Sequence, residues 1–424
     1  MKEYDVVVIG AGPGGLAAAT AAKRNGAERV AVIDRNEYCG GVLNQCIHDG
    51  FGLVRYKQAL TGPEYAVNAE KEAVDAQVEI LNSTMVLSIS PEKIITAACK
   101  RGLVQMKAKA IVLATGCRER TRGAISTPGT RPAGVFTAGV VQNLVNLKNI
   151  MIGKRVIILG SGDIGLIMAR RLTLEGAKVL AVIEIMPEPM GLQRNISQCI
   201  YDFNIPLYVS HTVSRIIGKR KIEAVEVTKV DENKQPISGS ERIIECDSLV
   251  LSVGLIPENE IALTAGVVLN ERTNGVVTDE YLQSNVAGIF ACGNCRRVMD
   301  LADLVSEQGE IAGTNAARFI NGNAFLLYEE KQSVFKKGFP EEGTITCPLC
   351  PNGCSVREIN GEINGNKCKR GERYYQQEQT DPRRTLTTTV KKENGVLRPV
   401  KLENVPKDKL LETVKRLNEE NGNY

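Results

Sequence analysis

The chain has 424 residues, of which 43% are apolar and 24% are charged, a composition typical of a soluble globular protein with two or three domains. Its net charge of +4 arises from 53 basic and 49 acidic residues, a balance that argues against nucleic acid or an anionic membrane as the main partner. No apolar run reaches the about 18 residues of a membrane-spanning helix, and the N-terminal residues do not resemble a signal peptide. We therefore expect a cytoplasmic protein without an integral membrane segment.

The twelve cysteines are unevenly distributed. Eight lie singly or in one close pair up to residue 295, and four lie within residues 347–368. Because a reducing compartment does not sustain a disulfide framework, we expect thiols or metal ligands. The clustering predicts a separate C-terminal module.

Two segments of the chain share one pattern. In the first, an apolar run at 5–9 leads into a glycine-rich turn at 10–15, an alanine-rich helix to about Asn25, and a second apolar run that ends at Asp34. The second segment begins at 155–159 and repeats this order of strand, glycine turn, helix and strand. This order is typical of a dinucleotide-binding βαβ unit.

The second copy has its glycines at Gly160, Gly162 and Gly165 and its acid at Glu184. In both copies the acid follows the third glycine by 19 positions. The glycines permit the tight turn, the approach of backbone to pyrophosphate and close helix packing, while the helix N-terminus offers free N–H groups to phosphate. Two matched copies therefore predict two nucleotide sites.

Three further apolar runs end at glycine turns, at Gly116, Gly254 and Gly293, and a helix is predicted over 301–320. The order of these motifs resembles the two-dinucleotide-binding flavoprotein superfamily, which includes thioredoxin reductase and glutathione reductase. The resemblance implies an α/β fold with two Rossmann-like domains of the three-layer ββα type, the second inserted into the first. The implied boundaries are an FAD domain at 1–120 and 255–325 and an NAD(H) domain at 121–254.

The same resemblance implies the residues of each nucleotide site. The implied FAD residues are Gly10, Gly12, Gly15, Asp34, Gly41, Gly116, Gly293 and Asn294. The implied NAD residues are Gly160, Gly162, Gly165, Glu184 and Gly254. Asn294 stands where the superfamily usually has aspartate. Because Glu184 would repel a 2′-phosphate and no arginine immediately follows it, NAD(H) is favoured over NADP(H).

Disulfide reductases of this superfamily carry a redox-active cysteine pair, and this chain has none at the corresponding places. Only Cys46 follows the glycines at 40–41, so disulfide reduction is disfavoured. The candidates near the flavin are Cys46, His48 and the pair Cys292 and Cys295. Structural roles are the alternative for all four, since a cysteine pair at a tight turn is more often packed than redox-active.

The C-terminal region begins after a predicted linker at 326–345, and we expect residues 346–424 to form a small cysteine-rich α+β domain. Its cysteines have the spacing C-x2-C-x3-C-x13-C. They are Cys347, Cys350, Cys354 and Cys368. This spacing resembles the [4Fe–4S]-binding segment of molybdopterin oxidoreductases, and zinc is the alternative because four thiolates suit either metal. A strand is expected at 386–390 and an amphipathic helix at 407–418.

Three motifs narrow the resemblance: ATGCRER at 114–120, GSGDIGLIMARR at 160–171 and SVGLIPENE at 252–260. They resemble the flavoprotein subunits that accompany a glycerol-3-phosphate dehydrogenase in anaerobic bacteria. This implies a hetero-oligomer in which a glycerol-3-phosphate dehydrogenase-like flavoprotein exchanges electrons, through the cluster and FAD, with NAD(H). The alternatives are the FAD subunit of an amine- or proline-type dehydrogenase heteromer and, in another class, a thiol/zinc redox sensor.

Overall fold

Both glycine-rich segments lie between a β-strand and an α-helix in the computed structural model, which describes residues 1–331, 335–391 and 397–420. The chain divides into two compact units, one of residues 1–118 and 255–333 and one of residues 119–254 and 334–424. The chain thus passes from the first unit to the second after residue 118, returns to the first at residue 255, and enters the second again after residue 333.

The elements are numbered in chain order. The strands are β1 (Lys2–Ile9), β2 (Val30–Ile33), β3 (Asp49–Phe51), β4 (Leu60–Thr61), β5 (Glu79–Leu81), β6 (Met85–Ile89), β7 (Ile94–Cys99), β8 (Gly102–Leu113), β9 (Cys117–Glu119), β10 (Val135–Thr137), β11 (Arg155–Leu159), β12 (Lys178–Ile183), β13 (Leu207–Tyr208), β14 (His211–Ile217), β15 (Ala224–Lys229), β16 (Arg242–Glu245), β17 (Ser248–Leu251), β18 (Leu255–Pro257), β19 (Ile289–Ala291), β20 (Ile345–Thr346), β21 (Ser355–Ile359), β22 (Glu362–Asn364), β23 (Arg383–Lys391) and β24 (Leu397–Pro406). The α-helices are α1 (Pro13–Arg24), α2 (Gly62–Asp75), α3 (Ala138–Lys148), α4 (Asp163–Leu174), α5 (Gln193–Cys199), α6 (Glu260–Thr264), α7 (Ala302–Ile320), α8 (Lys369–Thr380) and α9 (Leu410–Glu420).

The first unit is built on a sheet of order β5-β2-β1-β8-β7-β6, with β19 beside β8. Strands β1, β2, β5, β8 and β19 pair in parallel, and β6 and β7 extend the sheet antiparallel. Because side chains alternate along a strand, Val6 packs with Leu16 of α1 on one face, while Val7 packs with Ile95 on the other. The sheet therefore lies between two buried layers.

The second unit repeats this plan with a parallel sheet of order β10-β17-β11-β12-β13. On one face, Ile158 packs with Leu166 of α4. On the other, Ile157 packs with Val225 of the antiparallel sheet β14-β15-β16. The predicted α/β class with two Rossmann-like domains of three layers is confirmed.

The small C-terminal domain that the sequence predicts is present, and it belongs to the second compact unit rather than standing apart from it. The physical reason is a shared core, in which Leu174 of α4 packs with Leu386 of β23 and with Leu410 and Val414 of α9. The predicted strand at 386–390 lies within β23, and the predicted helix at 407–418 begins three residues before α9 and ends two residues before α9 ends. None of the described helices is both long and apolar enough to span a membrane.

Candidate functional site

The first glycine turn joins β1 to α1 with very close backbone contacts. A Cβ atom added at Gly10, where φ is +105°, would lie 2.3 Å from the carbonyl oxygen of Ala114, and one added at Gly15 would lie 1.7 Å from the oxygen of Gly10. A Cβ at Gly12 would meet nothing within 4 Å. The turn therefore needs glycine where backbones meet and leaves open space at Gly12, the position where pyrophosphate approaches in this motif.

Asp34 closes this turn from the end of β2. Its carboxylate is 8% exposed and accepts hydrogen bonds from the backbone N–H of Ala11 at 2.7 Å and of Asn36 at 2.8 Å. Gly12, the N-cap residue of α1, has no side chain to cap the first helical turn. The N–H groups of that turn are therefore available to an anionic group, as an FAD pyrophosphate requires.

Of the other predicted FAD residues, the structure brings Gly41 directly to the turn. A Cβ at Gly41 would lie 3.4 Å from Cα of Gly12, and the neighbouring Gly40 donates its N–H to the oxygen of Ala11 at 2.7 Å. Gly116, at φ +73°, follows β8 and faces open space. These glycines line one side of the first turn.

Gly293 reaches the same turn through Val305 of α7, because Cβ atoms added at Gly293 and at Gly14 would lie 3.0 and 3.1 Å from one methyl group of Val305. Gly293 also donates its N–H to the side-chain oxygen of Gln308 at 2.6 Å. Asn294 accepts from the N–H of Met299 at 3.0 Å, so its amide fixes the following loop. Sequence reasoning missed Gln308, which is fully buried and whose only signal is a polar residue on an otherwise small-residue helix face.

The two candidates after Gly41 lie in a hydrogen-bonded loop. Cys46 contacts the carbonyl oxygen of Val42 at 3.3 Å through its thiol, and its own carbonyl accepts from Gly62 at 2.8 Å. His48 packs against Phe51, with ring centroids 4.9 Å apart. A role for either side chain at the flavin stays a prediction.

The pair Cys292 and Cys295 is buried at the end of β19, at 1% and 0% exposure. The Cys295 thiol donates to the carbonyl oxygens of Leu113 at 3.3 Å and of Cys292 at 3.2 Å. Burial raises the pKa of both thiols, so the reactive thiolate form is disfavoured. This geometry favours the packing role over a redox dithiol.

The second glycine turn reproduces the contacts of the first. A Cβ at Gly160, where φ is +101°, would lie 2.0 Å from the carbonyl oxygen of Ser252, and one at Gly165 would lie 2.5 Å from the oxygen of Gly160. At Gly162 the nearest atom would be the Ser252 hydroxyl at 3.8 Å. Gly254, at φ +100°, follows β17 two residues after Ser252. The turn fits a dinucleotide as the first one does.

Glu184 closes the second turn, with one difference from Asp34. Its carboxylate, 4% exposed, accepts from the backbone N–H of Ser161 at 2.9 Å, from the Ser161 hydroxyl at 2.5 Å and from the N–H of Met186 at 2.9 Å. The first turn has Ala11 where the second has Ser161, so the hydroxyl is an addition. Sequence reasoning named the acid and missed the serine.

The four predicted metal ligands gather around Cys347. Its N–H donates to the carbonyl oxygen of Cys354 at 2.9 Å, and both residues share a small core with Val356 and Tyr374. Burial, and more weakly the thiols of Cys350, Cys354 and Cys368, raise the pKa of Cys347 to about 11.

The outer two cysteines are more accessible, since Cys350 is half-buried and Cys368 is exposed at the N-cap of α8. Within the described ranges, no three histidine, cysteine, aspartate or glutamate side chains are placed to hold a metal ion. The thiols share one neighbourhood, and ligation by them stays a prediction.

Comparisons with known proteins agree with the two-turn geometry. The family model described as pyridine nucleotide-disulphide oxidoreductase matches residues 4–309, and a model described as a protein of unknown function (DUF1667) matches residues 369–421. The chain is 26% identical over 387 residues to a subunit of opine oxidase from Agrobacterium tumefaciens (strain Ach5), covering 81% of this chain and 76% of that protein.

It is also 28% identical over 336 residues to thioredoxin reductase of Listeria innocua, covering 75% of this chain and 94% of the relative. The crystal structure of thioredoxin reductase from T. acidophilum superposes with a TM-score of 0.61 at 25% identity, covering 76% of this chain and 99% of that one. The predicted FAD-dependent oxidoreductase class is confirmed, with FAD and NAD(P)H as its cofactors. The chain belongs to the pyridine nucleotide-disulphide oxidoreductase family.

Proposed function

We propose that this oxidoreductase passes electrons between NAD(H), FAD and a [4Fe–4S] cluster held by its four C-terminal cysteines. The observation that carries the proposal is the combination of two glycine turns, each closed by a buried acid, with a group of four neighbouring thiols in one chain. FAD accepts a hydride from a nicotinamide and releases single electrons, which is the chemistry needed between NADH and a one-electron centre.

The residues of the chain bind and orient these groups. The free N–H groups at the start of α1 and α4 would hold the two pyrophosphates. In this motif the acid after the second strand accepts hydrogen bonds from the ribose hydroxyls and would repel a 2′-phosphate, so Glu184, buried beside the second turn, supports NAD(H) as the nucleotide. The described residues around the two turns would position the nucleotides. Hydride transfer needs this alignment more than it needs a proton donor.

The cysteine spacing supports an iron–sulfur cluster, with zinc as the alternative. Burial of Cys347 and Cys354 would shield such a centre on one side, while Cys368 lies at the surface. Because a ligating thiol must lose its proton, the raised pKa of Cys347 means that metal binding must displace a proton held by a buried thiol.

The proposed partner is a glycerol-3-phosphate dehydrogenase-like flavoprotein in a cytoplasmic hetero-oligomer. Lys367, Lys369 and Arg370 are exposed next to Cys368, which supports a docking surface beside the cluster. The proposed substrate, glycerol 3-phosphate, is supported by the motif resemblance, and it can be tested with the two proteins together. Mixing the two flavoproteins with glycerol 3-phosphate and NAD⁺ should produce NADH, and this chain alone should not.

The nucleotide assignment is tested by anaerobic stopped-flow on the full chain with bound FAD. We expect NADH to bleach the flavin absorbance near about 450 nm, and NADPH to require a concentration about tenfold higher or more, which is about 1.4 kcal/mol of discrimination. The Glu184→Ala variant should narrow that preference. A flavin that NADH does not reduce would overturn the proposal.

The metal assignment is tested by iron, sulfide and zinc analysis of anaerobically purified protein. We expect iron and sulfide in equal amounts in the wild type and in Cys99→Ser, a control at a half-buried thiol of the first unit. The Cys350→Ser variant should lose both. If the analysis finds zinc without iron or sulfide, the four cysteines bind zinc and the cluster assignment is wrong.

A second candidate is the FAD subunit of an amine- or proline-type dehydrogenase heteromer, and the likeness to the opine oxidase subunit favours it. It would be preferred if an amino acid or imino acid reduced the flavin of the isolated chain without NADH. A thiol/zinc sensor at Cys292 and Cys295 receives less support, because both thiols are buried and their pKa values are raised.

A further inference from the structure

The segment at 190–195 closes on the second glycine turn through hydrogen bonds to its side chains. The Ser161 hydroxyl accepts from the N–H of Met190 at 3.0 Å. Asp163, the first residue of α4, accepts at one carboxylate oxygen from the N–H of Leu192 and from the side-chain amide of Asn195, both at 2.8 Å. The segment is thus fixed to the two residues that flank Gly162.

Gly191 shows how close this approach is. A Cβ atom there would lie 2.5 Å from a methyl group of Leu166, 2.9 Å from the carbonyl oxygen of Ser161 and 3.0 Å from the Asp163 carboxylate. Since such distances require a shift of the neighbouring atoms, the segment and the turn have no slack between them. A displacement of 190–195 would therefore change the shape of the glycine turn.

The other side of the same segment contacts the C-terminal region. Gln193, 6% exposed, donates its backbone N–H to the carbonyl oxygen of Lys336 at 3.0 Å and its side-chain amide to that of Phe339 at 2.8 Å. A Cβ added at Gly353 would lie 3.7 Å from the backbone nitrogen of Arg194 and 3.8 Å from Cβ of Gln193. Helix α5 therefore begins between the glycine turn and the C-terminal region.

Gly353 belongs to the loop that carries the cysteines. Its N–H donates to the carbonyl oxygen of Cys350 at 3.3 Å, and the next residue, Cys354, accepts from the N–H of Cys347 at 2.9 Å. A change in the conformation of these three cysteines therefore moves the backbone that packs on α5.

We propose that the four-cysteine site and the nicotinamide site are thermodynamically linked through residues 190–195. Metal binding or thiol modification at the cysteines changes the affinity for NAD(H), and NAD(H) changes metal retention or thiol reactivity by the same factor, because linkage of binding is reciprocal. This inference rests on the proposed nucleotide and cysteine sites. It assigns to Gln193 a positioning role in both.

The first test compares two glutamine variants of the full FAD-containing chain. Gln193→Ala removes the bond to Phe339 and touches neither glycine turn nor cysteine, whereas Gln235→Ala changes an exposed glutamine of the same unit. We expect the Kd for NAD⁺, which does not reduce the flavin, to rise about fivefold or more in Gln193→Ala and to stay at the wild-type value in Gln235→Ala, as measured by equilibrium titration. Equal Kd values in all three proteins would overturn the proposal.

The second test measures the reciprocal effect and separates positioning from a loss of folding. With metal-loaded protein the readout is metal release to a chelator, and with metal-free protein it is thiol modification of Cys350 and Cys368, mapped by mass spectrometry. Saturating NAD⁺ should change either rate about fivefold or more in the wild type and less than about twofold in Gln193→Ala. Cys99, in the first unit, serves as the control thiol and should not respond.

The outcomes distinguish this inference from the proposed function. If the purified protein contains no metal and still shows both effects, the cluster assignment is wrong and the linkage stands. If protein with a full cluster has the same Kd for NAD⁺ before and after metal removal, the proposed function stands and the linkage is wrong.

Discussion

Helices α1 and α4 follow equivalent glycine turns, yet their outer faces are covered in different ways. Helix α7 packs on α1 through small residues, so closely that a Cβ at Gly309 would lie 2.1 Å from the carbonyl oxygen of Gly14 and one at Gly313 would lie 1.9 Å from that of Ala18. The first nucleotide helix is thus covered by direct backbone contact.

Helix α4 is instead covered by side chains of the C-terminal region, which include polar groups beside the apolar cluster around Leu174. Arg171, 5% exposed, pairs with Glu175 and donates to the side-chain oxygens of Asn146 at 2.8 Å and of Thr388 and Thr389 at 3.2 Å each. A second buried arginine, Arg384 of β23, forms an ion pair with Asp202 in the segment after α5. Buried charge of this kind is stable only while every partner is present.

The comparison shows that helices after the same glycine-turn motif can be covered in two ways. These two kinds of contact should be sensitive to different kinds of substitution. The contact of α1 with α7 should fail when an atom is added, and the contact of the C-terminal region with the segment after α5 should fail when a charge is removed. Each of the following experiments tests this difference between the two units.

The largest effect is expected at Arg384, which is 5% exposed and bridges Asp202 at 2.5 Å and Glu378 at 2.6 Å. The Arg384→Met variant should lower the free energy of unfolding of the second unit by about 3–5 kcal/mol, because Asp202 and Glu378 lose their buried partner and are left with the half-buried Lys407. Urea unfolding followed by circular dichroism measures it. Glu412→Gln, which breaks an exposed pair with Lys409, should cost less than about 0.5 kcal/mol, and equal effects would contradict the contrast.

The next effect is expected at Gly313, where the change adds one methyl group to α7. Gly313→Ala should destabilise the first unit by about 1–3 kcal/mol, because its Cβ atom would overlap the backbone of α1. We expect the ratio of FAD to protein after gel filtration to fall. Gly123→Ala, at an exposed glycine whose Cβ would meet only a hydroxyl at 3.7 Å, should keep the wild-type ratio. Full FAD retention in Gly313→Ala would show that α1 and α7 separate easily.

The buried network should also give the second unit a dependence on acid. Burial by itself raises the pKa of Asp202, but hydrogen bonds from Arg384 and Lys407 outweigh it and lower the pKa overall. A lowered pKa contributes stability that is present above the unfolded value of about 3.9 and is lost as the pH falls through the folded value. The unfolding midpoint of Asp202→Asn should therefore lie below that of the wild type at about pH 6, and the gap should narrow towards about pH 3. A gap that does not change with pH would assign the effect to packing.

The sequence predicted what depends on local constraints. Gly10 and Gly160 are required by tight turns, and Asp34 and Glu184 end strands at a fixed spacing from them, so the pattern alone indicates two nucleotide sites. The cysteine spacing likewise predicts a group that the structure brings together around Cys347.

What the sequence could not predict depends on partners that are distant along the chain. The threonines at 387–389 fit a strand, but nothing near them indicates that two of them satisfy Arg171, more than 200 positions earlier. For the same reason the sequence did not indicate that the small C-terminal domain shares a core with Leu174 of α4. Long-range polar contacts leave no periodic signal in a single sequence.

The smallest effect tests one chemical difference between the turns, the serine at 161 where the first turn has Ala11. Ser161→Ala gives the second turn the side chain that Ala11 has in the first, and removes the hydroxyl that donates to Glu184 and accepts from Met190. Since Glu184 keeps two backbone N–H donors, we expect a loss of about 1 kcal/mol, or a roughly fivefold higher Kd for NAD⁺ at an unchanged FAD content. Anaerobic titration against Ser238→Ala, an exposed control in the same unit, measures it. If both variants bind NAD⁺ equally, the Ser161 hydroxyl does not contribute to nucleotide binding at the second turn.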